Sequence, residues 1–275
     1  MRHAKDVFDM ASLSFPGDAT NQARLLLRKV RPLGNVDSNL ADLPADLAAA
    51  LAGTLAKPSD LKSPLREHIR VANLNEKTDL GGTLDEPLSK ADSKQALYFV
   101  IHDTSTPMDR GKPFPPDMDA ATWSGNDLSA PTRVHDPKAH IFINRLGASR
   151  TGHNYAVAHG STKLETSRGL GPKLVGRFIH NELVQPRVLN NHGIDEFAPD
   201  PGFTAAQLDR LALLYCCASV RAGAWLIPAF HCVLDEGIRD GHDDPQKFSL
   251  ADWSKAIGKL VDTLVDTLVP GGAIA

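Results

Sequence analysis

The chain has 275 residues, 42% hydrophobic and 23% charged, with a formal net charge of −3. That length and balance suit one large domain, or one domain with a sizeable extension, able to bury a real core. The charge excludes the basic footprint of a nucleic-acid-binding surface, and three cysteines, Cys216, Cys217 and Cys232, do not make a disulfide framework. The first 31 residues carry Arg2, Lys5, Asp6, Asp9 and Asp18 without the apolar run of a secretory signal. The longest strongly apolar stretches, 47–56 and 211–218, are too short to span a bilayer. A soluble protein without membrane insertion is expected, either cytoplasmic or exported by a route that needs no cleaved signal.

In chain order, residues 23–30 predict a short helix ended by Pro32 and Gly34. Residues 37–56 predict one helix, or two with Pro44 starting the second. Leu40, Leu43, Leu47, Leu51 and Leu55 give them an apolar stripe for packing. Residues 57–95, rich in Pro, Ser, Asp, Lys and Gly, read as loop with one short helix at most. The character changes at Ala96. Residues 96–103, Ala-Leu-Tyr-Phe-Val-Ile-His-Asp, predict a buried strand that ends on His102. A proline-rich loop over 107–131 follows, long enough to suggest a function. A second strand is expected over 139–144 and a third within 173–185, ended by Pro186. Thr204-Ala205-Ala206-Gln207 is a capping box opening a helix apolar nearly all round, in which Cys216 and Cys217 act as small buried hydrophobes. A short apolar run at 226–230 delivers His231. A last amphipathic helix starts near Ser249 and stops at Pro270-Gly271-Gly272.

His102 at a strand end, His231 after an apolar run, and the loop Arg239-Asp240-Gly241-His242-Asp243-Asp244 suggest a constellation. Two histidines and a carboxylate would supply three protein ligands to a tetrahedral zinc and leave the fourth position open for water. Such a donor set suits hydrolysis, where the metal polarises a carbonyl and lowers the pKa of water.

Val100-Ile101-His102-Asp103-Thr104-Ser105 resembles the first-ligand motif of the zinc-dependent N-acetylmuramoyl-L-alanine amidases, which share a fold with the peptidoglycan recognition proteins. Further segments resemble that family in the same order. They are Ala139-His140-Ile141-Phe142-Ile143-Asn144-Arg145-Leu146-Gly147, Ala158-His159-Gly160-Ser161, Phe178-Ile179-His180-Asn181-Glu182-Leu183, the helix start at Gly202–Gln207, and Asp244-Pro245-Gln246 with Phe248 and Trp253. The resemblance covers roughly residues 96–265. It implies an α/β fold: a central mixed β-sheet with flanking helices, an amidase domain over 96–275 and a mainly helical and loop N-terminal extension over 1–95.

The resemblance also implies roles. His102, His231 and Asp244 would bind Zn2+, with His242 or Asp243 as the alternative third ligand. Glu182 would act as general base. His242, standing where many relatives carry a lysine, would steady the oxyanion. His140, Asn144 and His159 would contact substrate; His140, His153 and His180 are equally read as supporting groups behind the site or as structural residues, whereas His159, before Gly160 in a loop, is poorly explained by packing. Departures from the family are the 13-position gap from His231 to Asp244 and Gln246 in place of a glycine. The implied activity is cleavage of the amide between N-acetylmuramic acid and L-alanine in peptidoglycan or its fragments. The alternatives are a non-catalytic peptidoglycan-binding module and a zinc peptidase acting within the stem peptide. The extension tilts the context towards an antibacterial effector, with an immunity protein as partner, or a lysin, rather than a recycling enzyme.

Overall fold

The computed structural model describes residues 3–31, 34–110, 113–130, 137–167, 171–189 and 196–267. Its helices are α1 (Ala4–Val7), α2 (Ala19–Leu26), α3 (Ala45–Leu51), α4 (Lys62–Val71), α5 (Glu76–Asp79), α6 (Lys163–Thr166), α7 (Ala205–Ala222), α8 (His231–Asp235) and α9 (Leu250–Asp266). Its strands are β1 (Lys90–Ala91), β2 (Lys94–Gln95), β3 (Tyr98–Asp103), β4 (Met108–Arg110), β5 (Ile141–Ile143), β6 (Ser149–Thr151), β7 (Phe178–Leu183), β8 (Arg187–Leu189), β9 (Glu196–Phe197) and β10 (Ile227–Phe230). Among the described residues, no helix is long and apolar enough to cross a membrane.

The centre is a five-stranded mixed sheet in the order β10-β3-β7-β5-β6. The first four strands are parallel, and β6 returns antiparallel to β5. All six residues of β3 are buried, as a parallel strand covered on both faces requires, and this is why it reads as a continuous apolar run rather than an alternation. A three-stranded sheet, β4-β8-β9, and the β1-β2 hairpin lie beside it.

Two different layers cover the central sheet. On one face, Phe99 of β3 packs on Tyr215 of α7 at 5.2 Å and on Trp253 of α9 at 6.4 Å. On the other, Tyr98 and Phe178 stack at 4.8 Å and are capped by Phe15 and Phe8 from the N-terminal segment. The Tyr98 hydroxyl accepts the Phe15 backbone N–H at 2.8 Å and donates to Gln22 Oε1 at 2.7 Å, so this buried phenol is fully satisfied. Residues before 96 therefore share one hydrophobic core with those after it. Arg28 with Glu236, and Leu47 N–H with Ser254 Oγ, tie the two parts further.

Several elements differ from the sequence expectation. The 37–56 stretch is helical only over α3, the second of the two helices allowed for it. Pro44 sits at its N-cap, and Leu40 ahead of it is 39% exposed. α2 starts at Ala19, not Ala23, because Asp18 caps it by accepting the Asn21 N–H. The 57–95 stretch, read as loop with one short helix at most, holds two, α4 and α5. In α4, Pro64 occupies the first turn, where a missing N–H costs nothing, and Leu61, Leu65 and Ile69 form the buried stripe. The 226–230 run is a strand, β10, despite Pro228; it lies at the sheet edge, where proline is tolerated. Pro131 and the stop signal at 270–272 lie outside the described residues.

Candidate metal centre

Parallel strands offer a crevice beyond their carboxyl ends, and here three neighbouring strands each deliver a functional group to it. His102 of β3 and Glu182 of β7 stand opposite one another in the parallel register. Phe230 of β10 pairs with Ile101, so His231, which opens α8, comes level with His102. Asp244 arrives from the loop ahead of α9.

The imidazoles of His102 and His231 and the carboxylate of Asp244 are buried and bring their donor atoms together. His102 Nδ1 lies 2.8 Å from His231 Nδ1, and His231 Nδ1 lies 3.0 Å from Asp244 Oδ1. His102 Nδ1 lies 3.8 Å from Asp244 Oδ2. Donors on a tetrahedral zinc with bonds of about 2.0–2.1 Å stand roughly 3.3 Å apart, a value inside this spread. The donor set, two neutral imidazole nitrogens and one carboxylate oxygen, is the kind zinc takes in hydrolytic sites. The three residues therefore fit a zinc ion. Among the rival third ligands, Asp243 donates nothing here: its carboxylate faces Gln246 Nε2 at 2.6 Å and Arg187 at 3.8 Å. His242 is half-exposed and stacks flat on His231 at 4.4 Å.

Each of these three side chains is held from behind. Asp244 Oδ2 accepts the Asp103 backbone N–H at 3.0 Å, and the Asp244 carbonyl accepts the Cys232 N–H at 2.8 Å. Asp103 receives both carboxylate contacts from the buried Arg187, at 2.9 and 2.7 Å, and this bidentate pair anchors the end of β3, although burial, only partly offset by Arg187, pushes the Asp103 carboxyl up to about 7. His231 Nε2 lies 3.0 Å from Asp235 Oδ2, one helical turn along α8. Asp235 Oδ1 accepts the backbone N–H groups of Lys163 and Leu164 at 2.7 and 3.3 Å, while Oδ2 also meets His242 Nδ1 at 3.1 Å. His102 turns its Nε2 to His180 Nδ1 at 3.0 Å.

The electrostatics follow from this packing. Burial lowers the pKa of His102 well below the usual imidazole value, and the neighbouring His231 lowers it further. For His231, burial also opposes charge, but Asp244 and Asp235 outweigh it and push the pKa up to about 10. Burial raises the Asp235 carboxyl, yet His231 and His242 hold it well below the ordinary carboxylate range. Without a metal, then, a proton on His231 balances the two carboxylates, and His102 stays neutral.

The cleft over these groups has a volume of about 350 Å³ and is lined by His102, Glu182, His231, His242 and Asp244, with Lys138 and Lys163 at its side. Glu182 is half-buried there. A larger cavity, about 720 Å³, shares no lining residue with this cleft; Leu27, Val30 and Phe248 supply its apolar wall. The buried His102, His231 and Asp244 side chains line the smaller one.

Three residues expected to touch substrate are placed elsewhere. Asn144 is buried in the turn after β5. Its Oδ1 accepts the Leu146 and Ala148 N–H groups, and its Nδ2 donates to Asn126 O. That turn needs Gly147, at φ +79°, where a Cβ would meet the Ala206 carbonyl at 2.7 Å. His140 is fully buried: its Nδ1 accepts the His180 backbone N–H at 3.0 Å, and its Nε2 contacts Val157 O. His159 stacks on His153 at 4.2 Å, beside Gly160 of the cleft wall but outside the lining itself. Sequence reasoning missed Asp235, Glu165 and Arg187, while His180 takes the supporting role open to it in the sequence. Two signals could have pointed to the first two: His231 and Asp235 at helical i, i+4 spacing, and Thr162-Lys163-Leu164-Glu165, a capping box.

The protein is thus of mixed α/β class, with a buried His–His–Asp group at the carboxyl edge of its parallel strands. Comparison of the chain with family models, with curated proteins and with solved structures finds no match in any of the three.

Proposed function

We propose that this chain is a zinc-dependent N-acetylmuramoyl-L-alanine amidase with the amidase and peptidoglycan-recognition-protein type of fold. The observation that carries the reading is the convergence of His102 Nδ1, His231 Nδ1 and an Asp244 oxygen beside Glu182, in the order along the chain that the family motifs imply. His102, His231 and Asp244 would hold the zinc. When bound, it supplies Lewis acidity, polarising the amide carbonyl and making water a stronger acid.

The protein's own residues do the rest. Glu182, across the strand pair from His102, takes a proton on its carboxylate from the attacking water and passes it to the leaving amine nitrogen. His242, half-exposed at the cleft and tethered through Nδ1 to Asp235, would be the group that steadies the developing oxyanion. Lys138 and Lys163 give the cleft wall positive charge, which suits a substrate rich in carboxylates. The substrate is peptidoglycan or a muropeptide, reached either in the cytoplasm during cell-wall recycling or in the periplasm after delivery as an effector or lysin. In the effector setting an immunity protein would be the partner.

The test combines elemental analysis with a muropeptide digest. One zinc per chain and release of intact stem peptides, read by mass spectrometry, are expected. Cleavage inside the stem would point to a peptidase instead. Binding to sacculi without any cleavage by the zinc-loaded protein would leave a recognition module, and the amidase assignment would fall.

A further inference from the structure

Behind His102 runs a second imidazole and then a carboxylate. His102 Nε2 meets His180 Nδ1 at 3.0 Å, and His180 Nε2 lies 3.1 Å from Glu165 Oε2 in a close but bent contact. All three side chains are buried, and those of His180 and Glu165 are wholly so. Glu165 is an unusual capping-box residue. Its Oε2 accepts from Ser161 N, Thr162 N and Thr162 Oγ1 at 3.0–3.3 Å, as the box requires, yet its Oε1 has no hydrogen-bond partner among the described residues. A cap alone needs no buried carboxylate, because such caps work at the surface. The ring of His180 is itself fixed. Its backbone N–H is held by His140 Nδ1, and the two rings lie nearly parallel, 18° apart, with centroids 5.5 Å apart.

We propose that His180 and Glu165 are positioning residues that set the tautomer and aim of His102; this rests on the metal reading above. The polarity of the chain follows from its far end. Glu165 Oε2 already accepts the backbone N–H groups of Ser161 and Thr162 and so acts as an acceptor, to which His180 presents Nε2–H. With its ring proton there, His180 has its lone pair on Nδ1, which accepts from His102 Nε2–H. Neutral His102 is left with its lone pair on Nδ1, the atom that faces His231 and Asp244. Asp235 approaches His231 Nε2 directly, at 3.0 Å in the same close but bent kind of contact, and by the same logic sets its tautomer in a single step. The two imidazole lone pairs are thus set by two carboxylates, one direct and one relayed through a histidine. Ligand histidines are commonly oriented by a carboxylate or carbonyl directly; here β7 stands between, and His180 bridges the gap.

Three variants of the full chain test this, with zinc affinity measured by chelator competition and the visible spectrum of the cobalt-substituted protein as readouts besides activity. His180→Phe keeps the ring packing on His140 but removes the acceptor, and should weaken zinc binding about 10–100-fold and alter the cobalt spectrum. His180→Asn can place its amide oxygen near the position of Nδ1 and should recover most of that loss. Glu165→Gln keeps the capping box and removes only the charge, and should cost a smaller, few-fold loss. If His180→Phe binds zinc as tightly as the parent, or His180→Asn is as impaired as His180→Phe, the relay is overturned while the zinc site stands. A parent protein that binds no zinc overturns the metal reading and the relay with it.

Discussion

At the residue scale, the site is an arrangement of charges that a metal and a proton can each satisfy. His102→Ala or Asp244→Ala should abolish stoichiometric zinc, read by elemental analysis. Glu182→Gln should keep the metal and lower muropeptide turnover by about 10²–10⁴-fold, the range for loss of a general base. The His231 proton gives a pH signature. Its folded pKa, about 10, lies above the unfolded value of about 6.5, so the stabilisation is complete below about 6.5 and is lost as pH rises through 10. Thermal melts in chelator should therefore fall from pH 6.5 to pH 9, while apparent zinc affinity should rise over the same window because the ion displaces that proton. A flat affinity profile would mean that His231 carries no proton to displace. That His102, His231, Asp244 and Glu182 come together at one cleft was legible from residue type and motif order. Asp235, Glu165 and Arg187 were not legible, since an acidic or basic residue looks the same in a sequence whether it lies on the surface or behind a ligand.

At the scale of single elements, the two long helices on the far face hold the strands in register under the site. Trp253 of α9 is fully buried against Phe99, Tyr215 and Phe248. Trp253→Ala should destabilise the fold by about 3–5 kcal/mol in urea titration. Thr204 caps α7 and also donates to the Arg145 carbonyl at 2.7 Å, so Thr204→Ala should cost about 1–2 kcal/mol by the same measurement. These helices were readable because their signals are local: a capping box, an N-cap serine and a one-sided apolar stripe. α4 was obscured by a proline that a first turn accepts, and α3 was overextended because a leucine stripe continued past the point where Pro44 starts the helix.

At the scale of the whole molecule, the N-terminal segment completes the layer that carries the site. Phe8 and Phe15 cover Tyr98 and Phe178 on the sheet face from which His102 and Glu182 emerge further along the same strands. The segment also reaches the ligand loop. Arg28 pairs with Glu236, and Gly34 lies so close to Asp243 that a Cβ there would approach its Cβ to 3.0 Å. A chain that begins at residue 37 should lose its cooperative melt, followed by near-ultraviolet circular dichroism, and with it the zinc site. A truncated chain that melts cooperatively and retains zinc would show the segment to be dispensable.

By itself the sequence determined the local structures and the chemistry on offer: the buried strand ending in His102, the capped helices, and an ordered series of histidines and carboxylates. These are short-range properties, carried by apolar spacing and capping groups within a few positions. Only the tertiary structure decided which carboxylate of the 242–244 loop turns inward, since neighbouring side chains in a loop point in directions that spacing does not encode. It likewise sent His140 and Asn144 to structural duties, set Asp235 and the His180–Glu165 pair behind the ligands, and laid the N-terminal segment over the sheet. Those outcomes depend on contacts between elements distant in the chain, where burial and the need to satisfy every buried polar group make the choice.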